Sequence, residues 1–355
     1  MVHSQLTAEL YSRQYSGRTL SMNVIKPFTK RWRLLLLLML TSHPLMLYAA
    51  KVVVIESYHQ GYQWDKEYYQ AIVDKLAPQH QVSHFEMDTK RLAKERYAER
   101  AELAWQFIVE QQPQLVVLAD DNAVHYLHQR LNHSQIPVVY LGVNMNPREY
   151  HLNEHKRFTG VLERPLLKRS LLLLERLLPQ AKHRKILVLF DGSNTSKIAA
   201  EYISKQPSSM LSDIEVHIFQ LTQLAEWQQQ VRAAKDNGYS AIVVALYHAV
   251  RDEDNQSVDA DNLLEWIANH TPVPNFGFWG FSIYANGNVG GYVLDGYHHG
   301  SIAADMALRI LAGEKPENIF PITDDLGQYR FSRAAIKRWQ LKLPKEIEKQ
   351  TTWVD

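Results

Sequence analysis

Cysteine is absent from the 355 residues, which removes disulfides, thiolate metal sites, a thiol nucleophile and a thiol for lipid attachment together. An excess of either charge is also missing. The 39 Lys and Arg stand against 38 Asp and Glu, a formal net charge of +1, with no basic stripe able to neutralise a run of phosphates, so nucleic acid is not an expected partner. The chain lacks the Gly-x-Gly-x-x-Gly and Gly-x-x-x-x-Gly-Lys-Ser/Thr fingerprints, leaving dinucleotide and nucleotide triphosphate binding without motif support. No Gly-x-Ser-x-Gly elbow is present to support nucleophilic catalysis. After residue 50 no apolar run approaches the roughly 20 residues that a transmembrane helix needs. What is present is ordinary globular material, 46% hydrophobic, 22% charged and 10% aromatic, which excludes a disordered chain and a polytopic membrane protein. At roughly 150 residues per domain, this length predicts two domains or one large one.

The N-terminus carries an address. Lys26, Lys30, Arg31 and Arg33 precede an apolar run at residues 34–40 that continues with breaks to Ala49 and Ala50. A basic region, a short apolar region and then small residues is the order of an export signal. A membrane anchor is the alternative, disfavoured by Thr41, Ser42, His43 and Pro44 in the middle of the stretch. Cleavage after Ala50 would put the bulky Tyr48 where a small residue is preferred, and Met22 is a candidate true start because the residues before it are polar and patternless. The expectation is a mature, soluble, periplasmic chain beginning near Lys51. The Asn-x-Ser/Thr sequons at Asn132, Asn194, Asn255 and Asn269 are then chance occurrences, since a cysteine-free exported chain suits a bacterial periplasm.

Beyond residue 50, short continuous apolar runs alternate with helical periodicity. Strands are predicted at 51–55, 82–87, 115–118 and 137–141, separated by helices at 65–76, 94–111 and 122–131. After Gly160 the pattern restarts. Helices are predicted at 165–178, 195–204, 221–236, 262–269 and 303–311, and strands at 185–190, 214–219, 241–246 and 274–278. This alternation predicts an α/β fold of two Rossmann-like lobes with parallel sheets and a hinge between them. The expected organisation is an extension and signal peptide over 1–50, a first lobe over 51–158 with a returning segment near 280–310, a second lobe mostly over 159–345, and a tail over 346–355.

Particular stretches narrow the reading. They are Val54-Ile-Glu-Ser-Tyr-His-Gln-Gly-Tyr-Gln-Trp64, Leu118-Ala-Asp-Asp-Asn122, Pro137-Val-Val-Tyr-Leu-Gly-Val-Asn144, Thr159-Gly-Val161, Gly290-Gly-Tyr-Val-Leu-Asp295, and Phe331-Ser-Arg-Ala-Ala-Ile336 followed by Leu343-Pro344. In this order they resemble the type I periplasmic binding proteins, and within them the TrpX-like substrate-binding proteins of ABC transporters, from Lys51 to about Pro344. The resemblance implies a non-enzymatic receptor that closes like a hinge around a small molecule and hands it to an ABC permease. The opening Ser-Tyr-His-x-Gly-Tyr-x-Trp is also similar to the sensor domain outside some histidine kinases and diguanylate cyclases. A sensory protein reporting to a membrane receptor is therefore the alternative, although no signalling domain follows residue 355, and a periplasmic enzyme on the same scaffold comes third.

In an open α/β sheet, ligand sits at the carboxyl ends of the strands. That rule selects Ser57, Tyr58, His59 and Trp64 after the first strand, Asp120, Asp121 and Asn122 after the third, and Asn144 after the fourth. In the second lobe it selects Ser193, Asn194 and Thr195, then Tyr247 and Trp279 with their aromatic neighbours. Hydroxyls and backbone N–H groups at 193–195 suit a carboxylate, Asp120 and Asp121 suit an amine, and the rings suit an apolar side chain. The opposing readings are an N-cap for the Asp-Asp-Asn run and ordinary core for the aromatics. An amino-acid-like zwitterion is the expected ligand, with a ring-stacked sugar as competitor. No cofactor and no metal are expected, because the histidine pairs His125/His128 and His298/His299 have no third ligand at recognisable spacing. A monomer is expected.

Overall fold

The computed structural model describes residues 49–178, 184–206 and 214–355, so the basic and apolar parts of the expected export signal fall outside the described residues. In chain order the first elements are β1 (Lys51–Glu56), α1 (Gln63–Leu76), β2 (Gln81–Glu86), α2 (Tyr97–Gln111), β3 (Leu115–Ala119), α3 (Asp120–His133), β4 (Val138–Val143) and β5 (Phe158–Leu162). There follow α4 (Leu167–Leu177), β6 (Arg184–Asp191), α5 (Asn194–Ser204), β7 (Ile214–Leu221), α6 (Leu224–Ala233), β8 (Ala241–Val244), α7 (Ala260–His270), β9 (Asn275–Gly277) and β10 (Gly290–Val293). The chain closes with α8 (Gly296–Leu311), β11 (Ile322–Thr323), β12 (Gln328–Phe331), α9 (Arg333–Arg338), α10 (Lys345–Glu348) and β13 (Thr352–Trp353).

Two sheets result, one per lobe. The first has the order β11-β5-β4-β3-β1-β2, with every pairing parallel. The second has the order β13-β12-β10-β9-β8-β6-β7, parallel except where β12 runs against β10. The apolar runs are continuous because both faces of the central strands are covered. Val52 and Val54 of β1 join one hydrophobic cluster while Val53 and Ile55 join another. This is the expected two-lobed α/β architecture.

The chain crosses between the lobes three times, after β5, after β10 and after β11. The first lobe therefore runs past residue 158: β5 completes its sheet up to Leu162, and β11 adds an edge strand from far along the chain. The returning segment is α8, which packs on α1 and against β4 and β5. It begins at Gly296 instead of near residue 303, because Asp295 caps it by accepting a hydrogen bond from the His298 N–H at 2.8 Å. Two glycines in its first turns hide the start from a propensity reading, yet they are what lets the helices touch. A Cβ on Gly300 would lie 2.4 Å from the Tyr68 carbonyl oxygen of α1. The segment 346–355 is built into the second lobe, with β13 paired to β12 and the Asp355 carboxylate accepting from the Arg333 and Ala334 N–H groups at the start of α9. No helix among the described residues is long and apolar enough to cross a membrane.

Candidate functional site

The carboxyl ends of the strands in both sheets face one another, and the loops beyond them meet across the gap. From the first lobe, the Tyr58 hydroxyl lies 2.9 Å from Thr195 Oγ1 of α5 in the second. Tyr62 reaches further, its ring centroid 4.4 Å from that of His248 and 5.3 Å from that of Phe281. The Trp279 indole N–H donates to Glu163 Oε1 at 2.7 Å, tying the loop after β9 to the first crossover. Beside these contacts lies a pocket of about 640 Å³ with walls from both lobes. Tyr62, Tyr247, Phe281 and Tyr284 supply aromatic faces, Lys90, Arg91 and Arg330 positive charge, and Asp259, Asp261 and Glu265 negative charge. The volume and the mixture of apolar walls with a few charges are those of a small-molecule site.

Inward of the pocket the cleft is acidic. Asp65, Asp120 and Glu163 are all buried, and Asp120 Oδ2 and both Asp65 oxygens have no hydrogen-bond partner among the described residues. Asp120 has φ of 66°, a left-handed conformation, and faces Gly142, itself at 68°, where a Cβ would stand 2.8 Å from Asp120 Oδ1. Burial pushes the Asp120 and Asp65 carboxyls well above the ordinary carboxylate range, reinforced for Asp120 by Asp65 and Glu163 and for Asp65 by Glu56. Burial also raises Glu163 to about 8, against hydrogen bonds from Trp279 and Asn144 that hold it down. The Lys90 ammonium answers this charge from over the rings of Tyr58 and Tyr62, 4.1 and 4.6 Å from their centroids. Such a chamber disfavours an anion and accepts a cationic group, which restores the charge that protonation otherwise neutralises.

The residues selected from the sequence divide by what they touch. His59 and Tyr247 line the pocket. Tyr58, Asp120, Asn144, Thr195 and Trp279 lie in the inner cleft, where Asn144 Oδ1 is buried without a partner. The others have structural partners that account for them. Ser57 Oγ donates to the Ala119 carbonyl at 2.6 Å and accepts from the Ala123 N–H at 2.8 Å, clamping β1 to the start of α3. Asp121 spends both oxygens on the backbone N–H groups of Asn144 and Met145, which hold it down while burial raises it to about 6. Asn122 donates to Thr89 Oγ1, Ser193 is the N-cap of α5, and Asn194 is exposed. Trp64 lies under α8, packed on Tyr68 and His299. Of the paired histidines, His299 spends both ring nitrogens, Nδ1 3.0 Å from Asp324 Oδ2 and Nε2 accepting from the Gly142 N–H at 2.9 Å. That bond pair joins the third crossover to β4 behind Asp120.

Sequence reasoning missed Asp65, Lys90, Arg91, Glu163 and Arg330. Glu163 had a local signal, a charged pair Glu163-Arg164 directly after an apolar strand. Asp65 lies on α1, Lys90 and Arg91 in the loop after β2 and Arg330 in β12, none of them at a strand end that the topology rule selects.

A family model described as ABC transporter substrate binding protein matches residues 80–354. A search of curated proteins gave no match. Solved structures of similar architecture include an ABC domain in complex with L-Trp from Streptococcus pneumonia, 16% identical, TM-score 0.65, covering 86% of this chain and 100% of that one. A substrate-binding protein with adhesive properties from Clostridium difficile, ligand-free and open, is 14% identical with TM-score 0.61, over 86% of this chain and 99% of its own. A carbohydrate transporter solute-binding protein from Agrobacterium radiobacter, in complex with D-arabinose, is 10% identical with TM-score 0.55, over 87% and 99%. At these identities the likeness speaks for the fold, that of type I periplasmic substrate-binding proteins. A family match over most of the described chain, on this two-lobed fold, makes the protein a member of the ABC transporter substrate-binding protein family.

Proposed function

We propose that the protein captures a small zwitterion with an apolar side chain, of the amino-acid type, between its lobes in the periplasm and delivers it as a monomer to an ABC permease. The observation that carries this reading is the pairing of a buried acidic recess with an aromatic pocket that also bears cations. Asp120, Asp65 and Glu163 suit an ammonium group, Lys90, Arg91 and Arg330 suit a carboxylate, and Tyr62, Tyr247 and Phe281 suit the side chain. The L-Trp complex of the streptococcal structure supports the ligand class, and the arabinose complex of the Agrobacterium structure keeps a sugar as the competing one. Function follows from closure, since a ligand touching both lobes favours the state in which they meet and a permease reads that state. No group in the cleft needs to perform chemistry for this.

The test is a thermal-unfolding screen of the purified protein against amino acids, sugars, purines and short peptides, after unfolding and refolding to strip carried-over ligand. At 100 times its dissociation constant a ligand adds about 2.7 kcal/mol, a shift of a few degrees. A saturable shift with amino acids, the ligand recovered unchanged, is the expected result. A shift with sugars alone refutes the ligand class, and turnover of the ligand refutes the binding role.

A further inference from the structure

A second cluster of ligating side chains lies behind the pocket, on the face of the first sheet that α1 covers. In the parallel register of β1 and β2, Val54 stands beside His84 and Glu56 beside Glu86. Alternation along the strands therefore puts Glu56, His84 and Glu86 on one face, where Tyr69 of α1 stacks on the His84 ring at 4.5 Å. One ligating atom from each of the three lies within 4.8 Å of the others, and His84 Nδ1 is 3.1 Å from Glu56 Oε1. Glu56 is fully buried, and its Oε2 has no hydrogen-bond partner. Gln60 holds the carboxylates from the other side, its Nε2 donating to Glu56 Oε1 at 2.8 Å and its backbone N–H to Glu86 Oε1 at 3.0 Å. Among the described residues no lysine or arginine is within ion-pair distance of Glu56 or Glu86. A carboxylate oxygen taken out of water without a donor is costly, and a cation removes that cost.

We propose that Glu56, His84 and Glu86 bind a first-row divalent cation of the Zn²⁺ type. Bonds of about 2.0–2.2 Å place neighbouring ligand atoms about 3.0–3.5 Å apart, a spacing that His84 Nδ1 and Glu56 already have and that a turn of the half-buried Glu86 side chain supplies for the third. One imidazole with two carboxylates suits zinc or manganese, whereas calcium takes six to eight oxygens. The Gln60 donors orient the carboxylates as supporting groups around a metal do, and His84, 35% exposed, leaves an entry path. The cluster adjoins the acidic recess, since Glu56 and Glu86 both push up the Asp65 carboxyl, but its three ligating groups are not among those assigned to the ligand and its test reads the metal itself.

The test uses the whole protein, stripped with a chelator and then freed of it, titrated with Zn²⁺ by calorimetry and with Co²⁺ in the visible range. The expected result is saturation near one equivalent, a Co²⁺ absorption band, and affinity weakened at least about 10-fold in both His84→Gln and Glu86→Gln. Two variants at half-buried positions guard against loss of fold in one of them. Absence of saturable Zn²⁺ binding, or binding and a Co²⁺ band that survive unchanged in a folded His84→Gln or Glu86→Gln protein, overturns the proposal.

Discussion

Glu163 shows how one side chain can set the pH response of the molecule. Burial raises its pKa from the ordinary 4.5 to about 8, so between those values the folded chain holds a proton that the unfolded chain releases. The sign follows: the folded state binds more protons, and stability falls as pH rises through this window. Asp121, raised to about 6, adds to the slope over the lower part of it, and Asp65 and Asp120 shift the same way. Glu163→Gln keeps an acceptor for the Trp279 indole and removes the ionisation. The variant is expected to show a shallower decline in Tm from pH 5 to pH 8 and to exceed the parent at pH 8. Equal slopes in the two proteins would contradict the assignment. The place of Glu163 directly after an apolar strand was a local signal, but its burial was not, because Trp279, far along the chain, closes over it.

Among the elements, α8 packs on α1 from a distant part of the chain, with backbone close to backbone at Gly300. Alanine at position 300 gains about 1 kcal/mol of helix propensity over glycine. Its Cβ, however, meets backbone, 2.4 Å from the Tyr68 carbonyl oxygen, and neither helix can yield by turning a side chain. Overpacking therefore wins, and Gly300→Ala is expected to lower stability by about 1–3 kcal/mol, read as a fall in the urea midpoint; an unchanged or higher midpoint would mean the helices are free to separate. Elements were legible in the sequence where burial is symmetrical. The runs at β1, β3, β4, β6 and β8 announced themselves because both of their faces are covered. The start of α8 was legible at Asp295, whose place directly after a strand marks a helix cap, while Gly296 and Gly300 hid the first turns from a propensity reading. β11 and β13, two residues each, carry no periodicity and exist only through their partners. The site followed the same division. Topology pointed to the loop ends that hold Tyr58, Asp120 and Thr195, while the Glu56–His84–Glu86 cluster depends on the register of β1 against β2 and Lys90 on a loop folded back over Tyr58 and Tyr62, which no local pattern encodes.

For the whole molecule, the bond between Tyr58 and Thr195 joins the two lobes, and on the proposed closure it favours the state in which they meet. Tyr58→Phe removes it and leaves the ring, so the closed form loses about 0.5–1.5 kcal/mol relative to the open one. Ligand affinity is expected to fall roughly 2- to 10-fold, with a larger radius of gyration for the unliganded variant in small-angle scattering. Unchanged affinity and size would show that closure does not use this contact. The three crossovers carry a different implication, for how the chain is made. Neither half is a continuous stretch: helix α8, which covers Trp64 and the face of β4 and β5, ends at Leu311, and the far edge of the second sheet is laid down only at Thr352 and Trp353. A ribosome, or any narrow pore that feeds the chain out from its N-terminus, thus releases each lobe with a covering helix or an edge strand still to come. Completion of either lobe thus waits on contacts between residues far apart in sequence, the kind of contact that slows folding.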